Sequence, residues 1–357
     1  MAEVRLENLG HAYGQGGAYA LKPLDMVWQD GRTYALLGPS GCGKSTMLNI
    51  ISGILRPSQG RVLFDGQDVT ARDIGHRNIA QVFQVPVIYK SMTVADNLAF
   101  PLVCRRVPQK AIHRRVSAIA ERLGLAPMLK KSANALTADQ KQLVSLGRGL
   151  VRDDVSAILL DEPLTVIDPQ MKFELRKILR EINAEYRITM VLVTHDQTEA
   201  MTFADTVVVM NHGEVIQAGS PQELFNSPAT DYVGYFIGSP PMNYLPAVAE
   251  GGHARVPGTA LAMPLPPGAD PQKLTIGFRP EHLRRGAGGV GQSAWVTLSG
   301  TVSRIWYEGA DEVLALHSGA NTFRARVQSG VTLTGADLTL HIPQENLRLY
   351  ANGRLIA

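Results

Sequence analysis

Residues 38–46 read Gly38-Pro39-Ser40-Gly41-Cys42-Gly43-Lys44-Ser45-Thr46. Before them runs the apolar stretch Tyr34-Ala35-Leu36-Leu37, and after them Met47-Leu48-Asn49-Ile50-Ile51. The glycine-rich stretch therefore joins a β-like run to a helical one. Gly38, Gly43, Lys44 and Ser45 satisfy the spacing GxxxxGK[ST], and the strand–loop–helix context is the one that this motif needs. Glycines allow the backbone N–H groups to converge on phosphate oxygens at the positive end of the following helix. Lys44 is placed to neutralise terminal phosphates, and the Ser45 hydroxyl to ligate Mg²⁺.

Outward from the loop, 357 residues predict two domains, and 45% hydrophobic residues suffice for a large core. A net charge of +3 is too small to argue for nucleic acid or an anionic membrane. The cysteines are Cys42 and Cys104, so no disulfide framework is expected and a reducing compartment fits best. Met1-Ala2-Glu3-Val4-Arg5 does not read as a signal peptide, and no window approaches the ~18 apolar residues needed to span a bilayer. If the protein works at a membrane, another chain does the spanning.

The first 240 residues alternate β-rich and helical runs, which predicts a parallel α/β sheet with strands over 33–37, 79–83, 156–160 and 189–193. From Pro169 to Arg187, Met171, Leu175, Ile178, Leu179, Ile182 and Tyr186 recur at helical spacing and predict one buried face. Residues 93–150 read as a helical insertion. After Gly238-Ser239-Pro240-Pro241 the composition shifts to short β-like runs, over 274–278, 295–305, 312–316 and 322–327, which predicts a compact barrel.

Further residues suit a nucleotide site. Ala157-Ile158-Leu159-Leu160-Asp161-Glu162-Pro163 is an apolar strand ending in two carboxylates, one to hold metal and one to orient or deprotonate water. His195 ends the strand Met190–Val193 and can reach a γ-phosphate there, although a lone histidine is more often an ordinary surface residue. Gln84 ends the run Ile79–Phe83, and Tyr13 offers a ring on which adenine can stack.

In order, these elements resemble the ATP-binding subunit of an ABC transporter, most closely the sugar and polyol importer ATPases with a C-terminal regulatory barrel. Asp196-Gln197-Thr198-Glu199-Ala200-Met201, Gly238-Ser239-Pro240-Pro241-Met242-Asn243 and Ile276-Gly277-Phe278-Arg279-Pro280-Glu281-His282 are similar to that subfamily. The resemblance implies an α/β P-loop nucleotide-binding domain over 1–237, with a helical subdomain near 88–152. A small all-β, OB-like (TOBE/MOP-type) barrel over 238–357 follows it. By the same resemblance Tyr13 stacks on adenine, residues 38–46 wrap the phosphates, and Ser45, Gln84 and Asp161 hold Mg²⁺. Glu162 is the general base, His195 senses the γ-phosphate, and Asp168 lies in a loop that communicates across a dimer of nucleotide domains. Two ATP molecules are expected between the two domains, each completed by the other subunit's signature motif. Two membrane permease subunits and, indirectly, an external solute-binding protein are the implied partners. Nucleic acid is not among them. The implied location is the cytoplasmic face of the plasma membrane, peripherally bound.

The signature departs from the family pattern Leu-Ser-Gly-Gly-Gln: this chain has Leu136-Thr137-Ala138-Asp139-Gln140. Thr137 keeps a hydroxyl, but Ala138 and Asp139 replace the glycines that let phosphates approach. A carboxylate about 5 Å from a phosphate charge, at an effective dielectric near 20, repels it by roughly 3 kcal/mol. Leu143 stands where an arginine is expected, whereas Arg148 is retained. The departure affects the partner's site and not this chain's own, so an asymmetric heterodimer with a second ATPase is favoured over a homodimer. That pattern looks like importers of glycerol and similar polyols. Val85-Pro86-Val87-Ile88-Tyr89-Lys90-Ser91, after Gln84, is also unusual, at the place where the family receives the permease's coupling helix. The alternatives are a soluble ABC ATPase of translation or repair, and a non-hydrolytic regulatory half of a transporter. The intact Glu162 argues against the second of these.

Overall fold

The structure is a computed structural model, and it describes all residues except 1, 15, 269–271, 287–293 and 331–332. The chain divides into two compact units, Met1–Pro221 and Gln222–Ala357.

In the first unit the predicted strands appear as β3 (Thr33–Leu37), β6 (Ile79–Val82), β7 (Ala157–Asp161) and β8 (Thr189–Thr194). With β9 (Thr206–Asn211) and β10 (Glu214–Gly219) they form a six-stranded sheet in the order β10-β9-β3-β8-β7-β6. Its strands are parallel except for the edge strand β10, which pairs antiparallel with β9. Each of β3 and β8 is buried along its whole length, as expected for strands covered on both faces.

A second sheet was not foreseen. Strands β1 (Val4–Ala12), β2 (Tyr19–Trp28), β4 (Gln59–Phe64) and β5 (Gln67–Asp68) form an antiparallel sheet ordered β2-β1-β4-β5. Register shifts at Leu6, Leu9 and His11 break the alternation that would have revealed β1. Helix α1 (Lys44–Ser52) follows the glycine-rich loop. Met47, Leu48, Ile50 and Ile51 share one core with Leu6, Leu9 and Trp28 of the antiparallel sheet and with Leu36, Leu159 and Val193 of the parallel one. The helix is thus buried on two sides.

The helical insertion consists of α2 (Val94–Cys104), α3 (Gln109–Arg122) and α4 (Ala138–Leu150). Helix α5 (Pro169–Tyr186) precedes β8, and α6 (Gln197–Phe203) follows it. The apolar stripe expected on α5 is only partly correct. Leu175, Leu179 and Ile182 are buried, but Met171 is exposed and a charged residue, Arg176, is buried instead.

The second unit begins before the composition change at Gly238. Helices α7 (Pro221–Asn226) and α8 (Asp231–Phe236) pack with the strands because Arg279 binds them. Its guanidinium donates to Phe225 O at 3.0 and 2.9 Å, to Gly234 O at 3.0 Å and to Ile237 O. Strands β11 (Asn243–Glu250), β12 (His253–Arg255), β13 (Ala262–Pro264), β14 (Leu274–Phe278), β15 (Arg284–Arg285), β16 (Trp295–Glu308), β17 (Asp311–Ser318), β18 (Asn321–Gln328), β19 (Asp337–Pro343), β20 (Arg348–Ala351) and β21 (Arg354–Leu355) complete it. They form two antiparallel sheets, β13-β12-β11-β14-β20-β21 and β15-β19-β16-β17-β18, around a single core that includes Ile276, Phe278, Leu314 and Phe323. The unit is all-antiparallel and barrel-like.

Candidate active site

The glycine-rich loop leaves the buried end of β3 and enters α1 through backbone that only glycine accepts. Gly43 has φ 104°, and a Cβ there would lie 2.5 Å from Ala20 O. At Gly38 a Cβ would lie 2.3 Å from Met210 O. Helix α1 starts without a side-chain cap, so its N-terminal N–H groups and dipole face the loop as an anion cradle. Lys44 is 5% exposed, and its ammonium donates to Gly38 O at 2.8 Å and Pro39 O at 2.9 Å, along the loop. Ser40 and Gly41 are exposed at the loop's tip, whereas Cys42 is buried, which pushes its thiol above the usual range.

Ser45 Oγ donates to Asp161 Oδ1 at 3.1 Å, joining the start of α1 to the end of β7. Burial raises the Asp161 carboxyl above its usual range; the Ser45 hydrogen bond opposes that shift, and the adjacent Glu162 adds to it. Glu162 follows at φ 45°, a left-handed conformation that costs about 1–3 kcal/mol for a non-glycine residue. Its N–H donates to Val193 O at 3.0 Å, fixing the turn against β8. Its Oε2 accepts from Gln84 Nε2 at 3.2 Å and lies 3.4 Å from His195 Nδ1. The Gln84 amide oxygen has no hydrogen-bond partner among the described residues.

His195 is 56% exposed at the end of β8. Behind it the Thr194 hydroxyl donates to Glu199 Oε2 at 2.7 Å, and Lys172 of α5 donates to Glu199 Oε1 at 3.0 Å. Asp196 caps α6 by accepting from the N–H groups of Thr198 at 2.7 Å and Glu199 at 3.2 Å. Asp168 caps α5 in the same way, accepting from Met171 N at 3.0 Å. Tyr13 is 60% exposed; its hydroxyl lies 3.3 Å from Thr46 Oγ1, and its ring stands edge-on to His11 at 4.6 Å. An open aromatic face therefore stands beside the first turn of α1.

The loop, Tyr13, Ser45, Gln84, Asp161, Glu162 and His195 thus gather at the C-terminal edge of the parallel sheet, where ligands bind in such sheets. The signature residues keep to themselves at the start of α4. Thr137 N donates to Gln140 Oε1 at 3.2 Å, and the Thr137 hydroxyl donates to Asp139 Oδ1. That hydroxyl bond holds the Asp139 carboxyl below its usual range.

Some supporting residues left no trace in the sequence. Arg77 is 2% exposed and seats the far end of α1, donating to Ile50 O at 2.7 Å and Ile51 O at 2.9 Å. The Lys172–Glu199–Thr194 chain links residues that are polar and unremarkable in order.

A profile of the ABC transporter family matches residues 21–165, and one of the MalK OB fold domain matches residues 238–283. The sn-glycerol-3-phosphate import ATP-binding protein UgpC of Chromohalobacter salexigens is 40% identical over 314 residues, 87% of this chain and 83% of that protein. The chain belongs to the ATP-binding subunits of ABC transporters. The trehalose/maltose import ATP-binding protein MalK of Thermococcus litoralis is 41% identical over 254 residues, 70% of this chain and 68% of that protein. Among solved structures, CbiO1 of Clostridium perfringens, part of the CbiONQ ABC transporter complex, has a TM-score of 0.58 at 33% identity. It covers 63% of this chain and 90% of that one. This ABC subunit binds and hydrolyses ATP to drive import. Permease subunits are its membrane partners, and among the described residues no helix is long and apolar enough to cross a membrane.

Proposed function

We propose that this subunit hydrolyses Mg·ATP at its own phosphate loop and thereby powers uptake of a small polyol, glycerol foremost. The observation that carries the catalytic part is the meeting of Gln84 Nε2 and His195 Nδ1 on one oxygen of Glu162, at 3.2 and 3.4 Å. Glu162 accepts the proton of the attacking water, with Gln84 and His195 fixing the carboxylate's direction. Residues 38–46, from Gly38 to Thr46, wrap the phosphates, and Tyr13 stacks on adenine. His195 also faces the γ-phosphate, and Asp168 signals across the dimer. Bound Mg²⁺ would supply charge neutralisation at the phosphates. Ser45, Asp161 and the free amide oxygen of Gln84 would hold it, a sparse set that suits an ion keeping phosphate and water ligands.

A heterodimer with a second ATPase is the assembly we favour. The start of α4 supports it: the Thr137 hydroxyl is committed to Asp139, and a carboxylate already sits where the helix end would attract a partner's phosphate. We place the nucleotide domain over 1–237 and the barrel over 238–357, the last two helices of the former, α7 and α8, clustering with the barrel through Arg279, and a solute-binding protein outside the cell. This subunit sits peripherally on the cytoplasmic face of the plasma membrane. Relatives named for glycerol-3-phosphate and for trehalose/maltose import support a small-carbohydrate cargo. Glycerol 3-phosphate is the second reading, favoured by those names. Uptake of labelled glycerol, glycerol 3-phosphate and maltose in a strain lacking this gene tests the cargo. Loss of glycerol uptake alone is expected, and unimpaired glycerol uptake would overturn the proposal.

A further inference from the structure

Helix α5 carries a basic stripe outside the nucleotide site. Phe173, Arg176, Lys177, Arg180 and Ala184 recur at spacings that share one helical face, and with Thr202 of α6 they line a cavity of about 380 Å³. Arg176 is 8% exposed, yet it makes no hydrogen bond, ion pair or ring contact among the described residues, and its Nε is buried without a partner. Its terminal nitrogens are not buried and also lack a protein partner among the described residues, so the charge is uncommitted at the cavity. The other buried arginines among the described residues are engaged: Arg77 and Arg279 donate to carbonyl oxygens, and Arg152, whose Nε also lacks a hydrogen bond, donates through its terminal nitrogens to Ile79 O and Asn78 Oδ1. Arg180, at the same cavity, donates to Phe203 O at 2.9 Å and pairs with Asp205 at 3.5 Å. Arg176 and Lys177 are therefore the uncommitted cations, opposed by the single carboxylate of Glu181 at the rim.

We infer that this cavity is a binding site for a small organic anion. Its carboxylate or phosphate head would pair with Arg176 and Lys177, and its apolar body would lie along Phe173 and Ala184. The walls argue against a bare inorganic ion: Phe173 is an exposed aromatic ring, and the depression, though open to solvent, has room for a small organic molecule. A ligand there would bridge α5 and α6 beside the Lys172–Glu199 pair, which joins the same two helices.

The test is calorimetric titration of the full chain with benzoate, phenyl phosphate and inorganic phosphate. It is done in a Lys44→Ala background so that the nucleotide loop does not compete for the phosphate probes. Benzoate and phenyl phosphate are expected to bind, and inorganic phosphate at least about tenfold more weakly. Which aromatic anion binds tighter identifies the head group. Arg176→Gln should weaken both aromatic probes by about tenfold or more. If Arg176→Gln does not fold, Phe173→Ser at the exposed rim decides. It should weaken the aromatic probes several-fold and leave inorganic phosphate unchanged. The proposal is overturned if no probe binds, if Arg176→Gln titrates like its parent, or if inorganic phosphate binds as tightly as phenyl phosphate.

Discussion

Replacing Arg77 by methionine should destabilise the first unit. The side chain is 2% exposed and donates to Ile50 O at 2.7 Å, Ile51 O at 2.9 Å, Thr70 O at 2.7 Å and Arg72 O at 3.2 Å. The first two acceptors lie in the last turn of α1, and Ile50 O also accepts from Gly53 N at 3.1 Å, so Arg77 is its second donor. Hydrogen bonds from a charged donor contribute about 1.5 kcal/mol each at the low end, roughly 6 kcal/mol for the set. Burial opposes the charge and pulls the Arg77 pKa down, with Asp68 acting the other way, so part of that sum is recovered when the charge is removed. A net loss of about 3 kcal/mol follows, which for a unit of this size lowers the thermal midpoint by roughly 6–12 °C. Differential scanning calorimetry of the full chain reads this as a downshift of the first unit's transition. Gly53 sharpens the test, since a Cβ there would lie 2.7 Å from Arg77 Nε and its φ is +87°. Gly53→Ala should therefore cost less in the Arg77→Met background than alone, by about 1 kcal/mol. A midpoint within a degree of the parent, or strict additivity of the two changes, would refute the reasoning.

Asp161→Asn should abolish Mg²⁺-dependent turnover while raising the thermal midpoint of the ligand-free protein at neutral pH. Burial lifts the Asp161 carboxyl above 3.8, so its ionisation opposes folding at neutral pH, and that opposition is relieved as pH falls through the raised value toward 3.8. A pH series of melts on parent and variant checks the sign, because the two curves should converge in acid. Tyr13→Ala should weaken ATP binding by about 1–3 kcal/mol, measured by equilibrium titration, whereas Tyr13→Phe keeps the stacking face and most of the affinity. Asp139→Gly, with the partner ATPase present, should raise ATP affinity at the partner's loop by as much as about 100-fold, read by nucleotide titration of the assembled pair.

The parallel sheet and the loop were legible because their signals are local. Strand β3 is an unbroken apolar run, and residues 38–46 carry their geometry in glycine spacing. The antiparallel sheet was hidden because bulges at Leu9 and His11 shift β1's alternation, and Pro23 interrupts β2. Among site residues, Asp161, Glu162 and His195 were found because each ends an apolar strand. Arg77 and the Lys172–Glu199–Thr194 chain were not, because Arg77 binds only backbone carbonyls and the pairing of Lys172 with Glu199 joins two different helices, neither of which leaves a pattern in the order of residues. Arg176 illustrates the same limit in reverse. It lies beside the apolar stripe read along α5, and only the packing of α5 against α6 shows that its side chain is largely covered.

The central claim is that ATP cleavage at this chain's own loop drives solute across the membrane. It is tested by Glu162→Gln in this subunit alone, with the complete transporter reconstituted in vesicles and phosphate release measured alongside uptake of labelled solute. The expected result is that ATP still binds while phosphate release and uptake fall together by at least about a hundredfold, the scale of losing a positioned general base. Undiminished uptake with this one carboxylate removed would contradict the account.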